Sequence, residues 1–338
     1  MNPRQTFLRF LTTLGVVLLA FGILLPRRYN FTYPAKLGPV FDARVKGEHI
    51  QGIEQSQPGF VLLGDSTLYE GVDPVLLAEG LGQPVYEMAT PGSGTAAWYL
   101  QIKNIILESK YRPGYIVIFF RNTMLTVPQY RTTGRYFALL DDYATKNEAL
   151  VSDLAFVNQM SPLERFAEQY IPLYTARVEI RDDLDNAIRY LPPRLFGCDR
   201  DCTNEAVSSI FGREVDPVAL NLVQEDASKT LYAQEELNFE AQVQTSLLPY
   251  MIELAQKNNI QLVFVRTRIF GPEPEMSDYR NKLDSYLLQQ DGVFLLDYWN
   301  DSRIIESYYV DSLHMNAVGR QEFTNILAKD VYSTVLQK

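Results

Sequence analysis

With 338 residues, 46% of them hydrophobic and 12% aromatic, the chain can bury one substantial core and a smaller annex, which excludes an intrinsically disordered protein. A net charge of −10 without any block of lysine or arginine argues against nucleic acid as a partner and against electrostatic adhesion to an anionic membrane. Only two histidines, His49 and His314, could supply an imidazole base.

At the amino terminus, Arg4 and Arg9 precede an uncharged run from Phe10 to Leu25, which Pro26-Arg27-Arg28 closes. The run is 16 residues long, short of the about 20 that cross a bilayer, but Phe7 and Leu8 extend it if Arg9 snorkels to the interface. No small-x-small cleavage pattern follows Leu25, so residues 1–28 are expected to be an uncleaved transmembrane anchor rather than a signal peptide or a buried helix. Arg4 and Arg9 favour a cytoplasmic amino terminus, against Arg27, Arg28 and Lys36 on the far side. Residues 29–58 carry Pro34, Gly38, Pro39 and Gly52 and are expected to form a tether without regular structure. His49 lies there alone and is given no catalytic part.

The segment 59–126 opens on Phe60-Val61-Leu62-Leu63-Gly64-Asp65-Ser66-Thr67, an apolar strand that stops at a glycine and small polar residues. A strand ending this way delivers a hydroxyl to the rim of an α/β sheet, where ligands bind, so Ser66 is a candidate nucleophile. The alternative is a turn in which Asp65 or Ser66 caps the next helix. A helix from about residue 73, a strand near Val85, a helix over 95–109 and a strand at Tyr115–Phe120 follow, an alternation that predicts a parallel sheet with helices on both faces.

Between 127 and 235 the alternation is lost, and a mostly helical insertion is expected, rich in tyrosine (Tyr130, Tyr136, Tyr143, Tyr170, Tyr174, Tyr190). These rings either form the insertion's own core or stack on sugars. Cys198 and Cys202, the only cysteines, suit a local disulfide better than a metal site, which would need two more ligands; no metal and no cofactor are expected. In 236–338, Phe239, Val243, Leu247 and Leu254 predict a helix over 237–257 with a kink at Pro249. Strands at 261–266 and 293–297 flank a helix at 279–288, bringing the strands to five. Near the end stands Asp311-Ser312-Leu313-His314-Met315-Asn316. A carboxylate three residues before an imidazole can orient it as the base that takes a proton from Ser66.

Gly64-Asp65-Ser66 early and Asp311-x-x-His314 late resemble the first and last blocks of the SGNH, or GDSL, hydrolase superfamily, over roughly residues 59–126 and 236–334. The resemblance implies a flavodoxin-like three-layer sandwich around about five parallel strands. It also implies an oxyanion hole made of the Ser66 amide, the Gly92 amide (or that of Gly94) and the Asn122 side chain. Two positions depart from the family pattern: Glu87 stands where an asparagine is usual, and Phe120 where a glycine is usual. Arg121, beside Asn122, is either a substrate-binding residue for an acidic group or a surface arginine. An anchored chain of this kind resembles extracytoplasmic O-acyltransferases, which pass an acyl group from a donor to a glycan or cell-wall polymer, often with a polytopic membrane acyltransferase as partner. The alternatives are an esterase that uses water and a non-catalytic polymer-binding or assembly protein on the same fold. The catalytic domain is expected outside the cytoplasm.

Overall fold

The computed structural model describes residues 3–29, 33–35, 37, 43–132, 140–145, 148–157, 160–199, 202–203, 227–270 and 273–337. Tyr136, Lys36, Gly38 and Pro39 lie outside the described residues. In chain order the elements begin with α1 (Pro3–Tyr29), α2 (Ala43–Ser56), β1 (Phe60–Gly64), α3 (Ser66–Gly71), α4 (Pro74–Leu81), β2 (Val85–Ala89), α5 (Thr95–Gln101) and β3 (Tyr115–Phe120). Then come α6 (Ala149–Ala155), α7 (Pro162–Tyr170), α8 (Pro172–Thr175), α9 (Arg177–Leu195), α10 (Phe239–Val243), α11 (Leu248–Lys257), β4 (Gln261–Arg266), α12 (Ser277–Leu288), β5 (Val293–Asp297) and α13 (Ala317–Val331). The chain divides into two compact units, Met1–Leu37 with Val157–Glu225, and Gly38–Phe156 with Asp226–Lys338.

The second unit is built on a five-stranded sheet in the order β2-β1-β3-β4-β5, with all four pairings parallel. This is the flavodoxin-like strand order of a doubly wound α/β fold. All five residues of β1 are buried, as befits a strand covered on both faces. Successive side chains alternate between the faces. Phe60, Leu62, Val117, Phe119, Val263 and Val265 pack with Leu68, Val72, Leu77 and Leu81 and with Phe323, Leu327 and Val331 of α13. On the other face α2 contacts β2, α11 contacts β4 and α12 contacts β5.

Two expectations are corrected in this unit. The tether expected over 29–58 contains α2, whose Ile53 is fully buried and whose His49 bonds Tyr86 of β2; docking on the sheet overrides the helix-weakening Gly47 and Gly52. Pro249 does not kink one helix but opens a new one: α10 stops at Val243 and α11 takes Pro249 in its first turn, where the missing N–H costs nothing.

In the first unit α1 spans 27 residues, about 40 Å at 1.5 Å per residue, and is long and apolar enough to cross a membrane. Leu25 is its one buried side chain among the described residues. The helix ends on Arg28 and Tyr29, which both bond Asp183 of α9, at 2.6 and 2.7 Å. Ser161 caps α7 reciprocally with Glu164, a capping box with Pro162 in the first turn. Ala35 N–H donates to the Gln169 carbonyl, and Cys198 and Cys202 form a disulfide beyond α9.

Candidate active site

The site lies in the second unit, at the carboxyl ends of β1, β2 and β3. β1 ends on a glycine, Gly64, where a Cβ would stand 2.7 Å from the Leu68 side chain and 3.1 Å from that of Phe119. Asp65 then caps α3, accepting from the Thr67 amide at 2.9 Å and the Thr67 hydroxyl at 2.7 Å. The cap and the nucleophile candidate are therefore neighbours, not competitors. Asp65 fixes the turn, and Ser66, at the first position of α3, is left half-buried at the rim.

The partner of Ser66 comes from the far end of the chain. His314 Nε2 lies 2.8 Å from Ser66 Oγ, and His314 Nδ1 lies 2.7 Å from Asp311 Oδ2. The other oxygen of Asp311 accepts the amides of Leu313 and His314 at 2.7 and 2.8 Å, so a three-residue spacing becomes a closed turn holding the ring. Val310 N–H donates to the His314 carbonyl, Phe270 N–H donates to the Ser312 carbonyl, and the Tyr309 hydroxyl donates to the Arg268 carbonyl. Asn316 caps α13 through the Gly319 amide and donates to the Ser307 carbonyl, which anchors the loop from its other side.

The electrostatics follow from these bonds. The Asp311 hydrogen bond is the main cause that raises His314 above its ordinary value, against burial, which lowers it. For Asp311, burial pushes upward, but the bonds from the His314 ring and the two amides together hold the carboxyl below its usual range. An imidazole bonded to a carboxylate on one nitrogen and a hydroxyl on the other can accept a proton from that hydroxyl.

The loops after β2 and β3 are tied to the same point. Thr90 N–H and Ser93 Oγ both donate to the Gly64 carbonyl, at 2.9 and 3.1 Å, and Trp98 Nε1 donates to Ser93 Oγ. Gly92, between them, has φ 80°, the left-handed region a glycine enters without strain. Gly94 is held where a Cβ would stand 2.8 Å from the Tyr130 carbonyl, so it serves close packing. Thr95 Oγ1 donates to the Met124 carbonyl, joining the second loop to the third. Asn122 is buried at φ 52°, a conformation asparagine tolerates, and its Oδ1 has no protein partner among the described residues.

Arg121 is not a surface residue. It is 7% exposed, its guanidinium is 3.7 Å from Asp65 Oδ2 and 3.2 Å from the Tyr130 hydroxyl. Burial disfavours its charge, yet Tyr130 and Asp65 hold its pKa above the ordinary value. The arginine thus braces the turn that carries Ser66. Sequence reasoning missed this brace, and the Asp65 cap was seen only as a rival to the nucleophile. Of the insertion's tyrosines, Tyr130 bonds Arg121, and Tyr143 bonds Thr90 at 2.8 Å. Both are interior supports of the site loops. Glu87, the first departure, lies half-buried on β2, and its Oε1 has no partner among the described residues; burial pushes its carboxyl up to about 7 against the pull of Arg320. Phe120, the second departure, is fully buried and packs edge-on against Phe264. Among the described residues no group of three or more His, Cys, Asp or Glu could hold a metal ion.

No family model and no curated protein matches the chain. Among solved structures, a protein from Desulfitobacterium hafniense DCB-2 assigned to the lipolytic G-D-S-L family is similar at 12% identity and a TM-score of 0.39, covering 80% of this chain and 97% of that one. The parallel 2-1-3-4-5 sheet, with Ser66 after β1 and Asp311 and His314 after β5, is the α/β architecture and block order that the sequence pattern leads one to expect.

Proposed function

We propose that this chain is a membrane-anchored serine acyl-transfer enzyme of SGNH type, which passes an acyl group through Ser66 to a hydroxyl of an extracytoplasmic glycan or cell-wall polymer. The observation that carries the acyl-transfer chemistry is the continuous hydrogen-bonded relay from Asp311 through His314 to Ser66, at 2.7 and 2.8 Å. His314 Nε2 takes the hydroxyl proton as Ser66 Oγ bonds to the carbonyl carbon of a donor ester. The donor's alkoxy group then leaves with that proton, and acyl-Ser66 remains. The acceptor hydroxyl attacks next, gives its proton to His314, and releases the acylated acceptor as the proton returns to Ser66. The oxyanion of each step is held by the amides of Ser66 and Gly92 and by the Asn122 side chain, donors fixed in place before charge develops.

The transferase reading draws support from α1, which is long and apolar enough to anchor the catalytic unit at a membrane, outside the cytoplasm in this proposal. A polytopic membrane acyltransferase is proposed as the source of the acyl group. Hydrolysis by water is the second reading, and the partial exposure of Asp311 and His314, 22% and 19%, favours it. Full-length protein given a small activated ester decides between them. The transferase releases about one equivalent of leaving group, then turns over slowly until an oligosaccharide is added and becomes acylated, because an oriented acceptor is worth several kcal/mol over water. Fast steady release of free acid, unchanged by any glycan, identifies an esterase.

A further inference from the structure

The first unit leaves apolar side chains open to solvent in an ordered pattern. On α9, Leu184, Ile188, Leu191 and Leu195 follow one another at spacings of four, three and four residues and are 52 to 74% exposed. At 100° per residue they fall within an arc of about 60°, a single stripe along the helix. Phe196, just past the end of the helix, is 90% exposed. On α7, Leu163, Phe166 and Tyr170 make a second exposed row, with the last two rings stacked. Exposed apolar residues scattered singly need no explanation, but contiguous rows do.

Their position along α1 identifies what covers them. From Phe7 to Leu24 the large apolar side chains of α1 are exposed, as a lipid-facing surface would be, and burial begins at Leu25. One turn later Arg28 and Tyr29 are bonded to Asp183, the residue next to the start of the α9 stripe. α8 contacts both α1 and its neighbours α7 and α9. The short helices are thus fastened to the end of the apolar span, at the level where an Arg-Arg-Tyr sequence meets lipid headgroups.

We propose that α7 and α9 form an amphipathic platform that lies in the headgroup layer of the same bilayer that α1 crosses, with the Leu184, Ile188, Leu191 and Leu195 stripe immersed among the upper acyl chains. Arg181 and Arg194, exposed beside the stripe, reach phosphate oxygens. With a chain charge of −10, the contact is apolar in origin and needs no anionic lipid. The platform fixes the direction in which the chain leaves α1, which a single helix with a tether would not. It rests on the reading of α1 as membrane-spanning, and its test separates the two.

The test uses the full-length chain in phosphatidylcholine vesicles, with single substitutions Leu14→Trp in α1 and Ile188→Trp or Leu191→Trp on the stripe. The emission of Trp98 and Trp299 in the parent chain is subtracted. Bromines placed shallow in the acyl chains are expected to lower the emission of the added tryptophan at 188 and at 191 about two-fold, while aqueous acrylamide has little effect, as for a helix seated about 5–10 Å into the boundary. Leu14→Trp responds to deep bromines. If Leu14→Trp is quenched by lipid while both stripe positions are quenched by acrylamide, the platform is overturned and the anchor stands. Stripe positions shielded from both quenchers are covered by protein, which also overturns it. A Leu14→Trp chain untouched by brominated lipid removes the anchor, and the platform with it.

Discussion

The two units of the molecule treat their side chains in opposite ways. In the sheet-bearing unit Asp65, Ser93, Asp311 and His314 are all hydrogen-bonded around Ser66, and β1 and β3 beneath them are buried. In the unit that contains α1, apolar side chains of α1, α7 and α9 stand in the open. The sheet-bearing unit makes its apolar environment from its own residues; on the proposal above, the unit with α1 takes it from lipid. Substitutions around Ser66 in the sheet-bearing unit should therefore register as lost chemistry, and those on the α9 stripe should leave the chemistry intact.

The largest effects are expected at the relay. Ser66→Ala and His314→Ala each lower ester turnover by roughly 10⁶-fold, because nucleophile and base act as one unit. Asp311→Asn lowers it by roughly 10⁴-fold, since the ring loses the partner that fixes its tautomer. Circular dichroism should show the parent fold in all three, and near-parent turnover in a folded Ser66→Ala chain contradicts the assignment.

Asn122→Ala comes next. As the loss of one oxyanion donor, it should reduce kcat by about 100 to 1,000-fold with KM little changed. A change confined to KM would place Asn122 in ground-state binding instead.

Smaller still is the pH dependence. His314 must be neutral to accept the Ser66 proton, and its pKa is raised above the ordinary 6.5 by Asp311, so activity should fall as pH drops through a value above 6.5. In Asp311→Asn the residual activity should keep its acid limb at lower pH, because the group that stabilised the imidazolium is gone. A limb that stays in place in the variant would assign it to another group.

Glu87→Gln gives the smallest effect and tests one of the two departures from the family pattern. Glu87 titrates near 7 in the folded chain but lower when unfolded, so its stability contribution becomes less favourable as pH rises from the usual carboxylate range through about 7. Glutamine removes that loss. The variant should be more stable than the parent by about 1 kcal/mol at pH 8, after discounting for partial exposure, with the gain vanishing near pH 4. An equal gain at both pH values would exclude the titration as its cause.

Much of the sheet was legible because its strands are short apolar runs bounded by turn residues, and β3, β4 and β5 occur where the pattern places them. The Ser66 and His314 pairing was legible because the chain offers only two histidines and one has a carboxylate at a useful spacing. What was not legible depends on contacts between distant residues. α2 is weakened locally by Gly47 and Gly52 and forms on the face of β2. Arg121 looked like a surface residue because Asp65, its partner, belongs to another strand's tip. Tyr130 and Tyr143 belong to the site's supports, although sequence alone grouped them with an insertion. The insertion was legible as mostly helical, but the α9 stripe within it was not, because its apolar positions are interleaved with charged residues.

The central claim, that Ser66 carries the acyl group, is tested most directly by the intact mass of the full-length chain after brief exposure to an activated acyl ester and acid quench. The account expects one added acyl mass, located by peptide mapping on Ser66, absent from Ser66→Ala and strongly diminished in His314→Ala. No adduct on the parent chain, or an adduct that persists unchanged in Ser66→Ala, would contradict it.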